Sequence, residues 1–173
     1  AGFYDLPEGH VATVVTHLEM RAPVPPRPEH GDFALRRVGK PGAGWYRALF
    51  RRVGAEDWMW FSRLAMDAAA LEAILHDARV EVYVLEHEGA EAGLLELDFR
   101  QEGECELAFF GLDRAMIGQG AGRWLMHRAI GLAWRAGIER FHVHTFPFDS
   151  PAAHDFSPLS GLVPRRLRVG APP

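Results

Sequence analysis

The chain has 173 residues, 48% of them hydrophobic and 24% charged, which suits one domain with a sizeable core. A formal net charge of −4, a pI near 6.1 and a single lysine, Lys40, leave no basic stripe for nucleic acid. Cys105 is alone, so no internal disulfide forms; no apolar run is of membrane-spanning length and no charged-then-apolar leader precedes the fold, so a cytoplasmic location is expected. Abundant Ala, Arg and Gly with little Lys is associated with GC-rich bacterial genomes.

In chain order, residues 10–20 predict a first strand through the β-branched run Val11, Thr13, Val14, Val15 and Thr16. Residues 21–28 hold four prolines and read as extended loop. A short strand is expected over 33–38, and a helix over 45–52 with Trp45, Leu49 and Val53 on one face. The apolar cluster Trp58, Met59, Trp60 and Phe61 follows, then a helical pattern over 68–77 carried by Leu71, Ile74 and Leu75. Three strands are predicted over 80–86, 92–99 and 104–112, joined by turns short enough for antiparallel hairpins. Alternation puts Glu104, Glu106, Ala108, Phe110 and Leu112 on one face, and Leu94, Glu96 and Asp98 likewise on the neighbouring strand. Several carboxylates then lie within reach of one another, while Cys105 points the other way as a small buried hydrophobe.

Residues 112–125 form a glycine-dense turn after an apolar strand and before an amphipathic helix. Gly118, Gly120 and Gly122 alternate, so the backbone can take positive φ and turn successive N–H groups onto phosphate oxygens. The helix that follows adds its unpaired first-turn donors and the positive end of its dipole. Trp124, Leu125, Ala129, Leu132, Ala133 and Ala136 recur at helical spacing as its buried face. A P-loop would need Lys and Ser or Thr where Arg123 and Trp124 stand, and a dinucleotide fingerprint would need glycine at 123.

What fits the spacing resembles the pyrophosphate loop of the GNAT acetyltransferase superfamily: Arg or Gln, two residues, Gly, one residue, then Gly or Ala. Gly120 and Gly122 take the glycine positions, Leu112 the apolar end of the family's fourth strand, and Ile117 departs at the Arg/Gln position. A second landmark follows a strand at 140–146: Ala153, Ser157 and Gly161-Leu162 keep the family's spacing, with Ser150 near its usual Asn and Ser157 in place of its Tyr. The resemblance covers residues 78–169; residues 165–169 read as a last strand and 170–173 as a frayed tail.

The resemblance implies a single α/β domain with a mixed, mostly antiparallel sheet flanked by helices, with acceptor-side elements over about 1–77 and an acetyl-CoA-binding core over about 78–169. It implies acetyl-CoA as cosubstrate, gripped by Ile117, Gly118, Gln119, Gly120, Ala121, Gly122 and Arg123, with Phe110, Gly111 and Leu112 along the pantetheine arm and Ser150 beyond. Direct transfer of acetyl to an amine of a small molecule or peptide would use Glu106 as base, with Glu96 as second choice; the other reading of both is a solvated sheet face. Ser157, His144, His154 or water would protonate the thiolate. The aromatic cluster at 58–61 is either a wall of the acceptor pocket or core. Two further readings stand beside this one. The first is a non-catalytic acyl-CoA sensor. The second is a metal-binding β-protein in which His142 and His144, with Asp149 or His154, chelate zinc or copper. Neither membrane nor nucleic acid is expected as a partner, no metal is expected on the first reading, and homodimerisation stays open.

Overall fold

The protein is described by a computed structural model that covers residues 13–25, 31–55, 62–145 and 161–170. Its strands are β1 (Thr13–Met20), β2 (Ala34–Val38), β3 (Val80–His87), β4 (Ala90–Asp98), β5 (Glu104–Leu112), β6 (Arg140–Thr145) and β7 (Val163–Gly170). Its helices are α1 (Ala43–Phe50), α2 (Ser62–Ala65), α3 (Ala68–Leu75) and α4 (Ala121–Ala133). One seven-stranded sheet runs β2-β3-β4-β5-β6-β1-β7, antiparallel at every pairing except the parallel β5–β6 pair.

Alternation along β3 shows how the sheet is covered on both sides. Val82 and Val84 pack under α1 and α3 with Tyr46, Leu49, Phe50, Leu71 and Leu75. Tyr83 and Leu85 face the other way, into the core that Trp124, Leu125, Ala129 and Ala133 of α4 seal. Side chains cap the helices on the first face: Asp67 accepts from Ala70 N–H at 2.8 Å to start α3, and Glu72 of α3 accepts from Ala43 N–H at 2.9 Å to start α1. The β3–β4 hairpin turns on Glu88 and Gly89, both at positive φ, the geometry that matches strand twist in a two-residue turn.

Three features depart from the sequence reading. Helix α4 stops at Ala133 rather than reaching Ala136, because Trp134 adopts extended backbone and Gly137 turns at φ 90° to bring the chain into β6. The uniform alternation expected along β5 is broken: Glu106 pairs with Asp98 and Leu107 with Leu97, but Phe109, not Ala108, pairs with Glu96. Ala108 is the extra residue of a β-bulge, so Phe109 joins the face of Glu106 while Phe110 and Leu112 pack on the α4 side. The third feature is the address of β1. The strand that leads into α1 is β2, at one end of the sheet, whereas β1 lies near the other end, wedged between β6 and β7. Elements grouped together by chain order, 1–77, are thus divided in space.

Candidate active site

The site is built where β5 and β6 meet. Their parallel register runs Glu104↔Arg140, Cys105↔Phe141 and Glu106↔His142, and no pair is formed beyond it among the described residues although both strands continue. The Ala108 bulge lies two residues past the last pair, so one edge of β5 and one of β6 open into a wedge at this level. At the mouth of that wedge Glu106 Oε1 and His144 Nε2 are 3.2 Å apart, both partly exposed. Burial raises the pKa of Glu106; His144 opposes that shift, Asp98 adds to it, Arg63 opposes it and Glu96 adds to it. A carboxylate so placed holds a proton more readily than an exposed one, which suits a base that must also release it.

One register step away, Glu104 accepts from Arg140 Nη1 at 2.8 Å and lies 3.2 Å from His142 Nε2. Burial pushes the His142 pKa down to about 4, with Arg140 adding to the effect, so this ring stays neutral at pH 7. Asp98, held by Arg100 at 2.6 Å, completes with Glu104, Glu106 and His142 a cleft of about 260 Å³. No group of three His, Cys, Asp or Glu side chains among the described residues is arranged to hold a metal ion.

Glu96 occupies the same face but a different environment. It is fully buried, accepting from Arg63 Nη2 at 2.6 Å and from the Tyr46 hydroxyl at 2.5 Å. The Arg63 guanidinium also lies 5.1 Å from the Phe109 ring centroid, and its Nε makes no hydrogen bond. Arg63 and Tyr46 were not legible as site residues: an arginine on a four-residue helix and a tyrosine on a helix face carry no local signal of shared burial.

At the far end of β5, Gly118 and Gly120 take φ of 79° and 81°, and a Cβ at either would meet no atom within 4 Å. These glycines are required by backbone conformation, not by crowding. Gly120 is the N-cap of α4 and supplies no side-chain acceptor, so the first-turn amides of Ala121, Gly122 and Arg123 have no intrahelical acceptor. Ile117 is 79% exposed beside this turn, and Gln119 donates through Nε2 to Ala115 O at 2.7 Å. Gly111 is crowded instead: a Cβ there would lie 2.8 Å from Val53 O, so its lack of a side chain lets the turn after α1 close on β5. Cys105 is fully buried and its thiol pKa is pushed up to about 12 by burial. Ser150, Ser157, Asp149, His154 and the cluster at 58–61 lie outside the described residues.

Residues 45–157 match the acetyltransferase (GNAT) family model. No curated protein matches the chain by sequence. Among solved structures, a functionally unknown conserved protein from Staphylococcus epidermidis ATCC 12228 aligns at TM-score 0.61 and 13% identity, over 94% of this chain and 62% of that one. The aminoglycoside acetyltransferase meta-AAC0020 from an uncultured soil metagenomic sample aligns at TM-score 0.58 and 18% identity, over 74% of this chain and 86% of that one. A GCN5-related N-acetyltransferase from Sphaerobacter thermophilus aligns at TM-score 0.65 and 14% identity, over 93% and 51%. The chain thus spans less than two thirds of the length of the Staphylococcus and Sphaerobacter proteins.

Proposed function

The chain belongs to the GNAT acetyltransferase family, and from that premise we propose that it transfers an acetyl group from acetyl-CoA to an amine in a single ternary complex. The observation that carries this reading is the Glu106–His144 pair at the point where β5 and β6 part, on the same strand that ends in the glycine turn.

The fit to acetyl-CoA as substrate rests on that turn. Amides at 118–123, around two left-handed glycines and an uncapped helix start, suit a diphosphate. The open edge of β5 from Phe110 to Leu112 offers backbone groups to the pantetheine arm, and an amide there would polarise the thioester carbonyl. In this reading Glu106 takes a proton from the acceptor ammonium. The neutral nitrogen then attacks the carbonyl carbon, the C–S bond breaks, and the sulfur takes up the second proton that nitrogen sheds. Glu96 is assigned a supporting role beneath the site, since both of its oxygens are engaged. Ser157, His144, His154 or water would relay this second proton from nitrogen to sulfur.

Calorimetry with acetyl-CoA, followed by thiol release on a panel of small-molecule and peptide amines, tests the proposal. Binding with turnover is the expected result. Binding without turnover on any acceptor would favour an acyl-CoA sensor, and absence of binding by folded protein would overturn both.

A further inference from the structure

Resting on the acyl-transfer reading, we infer that His17 of β1 is a positioning residue for the reaction, holding His144 with Nε2 toward Glu106 and passing on the proton that Glu106 collects. His17 and His144 are direct cross-strand partners in the antiparallel β1–β6 pair, and their ring centroids are 5.6 Å apart with planes inclined by 43°. At this separation the ring nitrogens of two imidazoles can be joined by a hydrogen bond or by one bridging water. Glu106, His144 and His17 therefore form a line across three adjacent strands, β5, β6 and β1.

The chemistry requires such a line. An ammonium and a thioester become an amide and a thiol, and one proton is left over in every turnover. A partly buried Glu106 that keeps this proton cannot act again. An imidazole can accept on one nitrogen and release from the other, which makes a pair of them a path outward. His144 turns Nε2 to Glu106, and the ring of His17 packs beside the same imidazole from β1. The neighbouring histidine is a poor substitute, because His142 is tied to Glu104 and resists protonation.

The charged groups around the line favour onward movement. Glu104 of β5 and Glu19 of β1 are engaged by Arg140 of β6, and Glu19 also by Arg165 of β7. Asp98 of β4 is held by Arg100. Arg166 of β7 is the register partner of His17.

The experiment compares wild type with His17→Gln and His17→Ala between about pH 5 and 9, a window that brackets the range in which imidazoles titrate. With acetyl-CoA and an accepted amine, His17→Gln is expected to lose about tenfold in kcat. The KM for acetyl-CoA should stay unchanged and the pH profile should shift. Imidazole in the buffer should restore part of the kcat of His17→Ala and none of that of Glu106→Gln. An unchanged pH profile in His17→Gln, or no rescue of folded His17→Ala, would overturn the inference. Nitrogen-15 spectra of the imidazoles give a readout independent of turnover: His17→Gln should change the tautomer balance of His144, and an unaltered spectrum would also overturn it. Wild-type protein that turns over no amine would strike the acyl-transfer reading instead, leaving the spectrum to judge the role of His17.

Discussion

Glu96 and Glu106 sit on adjacent strands and on the same face of the sheet, yet the fold treats them as opposites. Glu96 is sealed under α1 and α2, with an arginine and a tyrosine closing both of its oxygens. Glu106 stands at the edge of a parting pair of strands, against an imidazole that can exchange protons. On the proposed reading, being a carboxylate on this face is not sufficient for a base. A proton acceptor must be desolvated enough to want a proton and open enough to give it up. Glu96 is buried, but with both oxygens engaged it is not open to exchange.

The largest expected effect comes from unsealing the closed member of this pair. Arg63→Met would strand the Glu96 carboxylate in the core and cost about 3–5 kcal/mol in urea denaturation. Removing both charges, as Arg63→Met with Glu96→Leu, should recover most of that loss. A single variant with near wild-type stability would show that Glu96 is not a buried charge. Next is the open member. Glu106→Gln should lower kcat/KM by about 100-fold while leaving the heat of acetyl-CoA binding intact. Because the base form is ionised and burial raises its pKa, wild-type activity should climb with pH through a limb above the usual carboxylate range, and Glu106→Gln should lack that limb.

His142 is an intermediate case, mostly buried yet bordering the cleft. Its folded-state pKa of about 4 lies below the ordinary imidazole value of 6.5, so as pH falls the unfolded chain takes up the proton first. Stability from this group is complete above about pH 6.5 and declines as pH falls toward 4, by up to about 2 kcal/mol. Denaturation curves at both ends of that window should show His142→Asn losing correspondingly less. The smallest effect is expected far from both glutamates. Gly120→Ala meets no steric obstacle, so its cost is the left-handed backbone alone, about 1 kcal/mol. A drop in acetyl-CoA affinity at that site, read by calorimetry, would tie the turn to the diphosphate.

Much of this arrangement was legible in the sequence because it is local. Turn residues at 88–89, the glycine turn and the period-two pattern of β4 each encode their own geometry, and they place Glu96, Asp98 and Glu106 on one face. The bulge at Ala108 was not legible, since it is a mismatch between two strands and no residue of β5 announces it. Nor was the destination of β1: a β-branched run predicts a strand but not its neighbours. The place of His17 was likewise not legible, because it comes from a register formed with residues more than a hundred positions away.

The pairing of β1 with β7 joins Thr13 to Gly170. Closing so long a loop is entropically costly and slow, so the β1–β7 seam is expected to be among the late events of folding. Until it closes, the histidine-bearing edge has only one of its flanking strands in place. Residues out to Gly170 must therefore be made before this seam can form, and on the proposed reading a chain cut short of β7 would leave His17 with one of its two neighbouring strands missing.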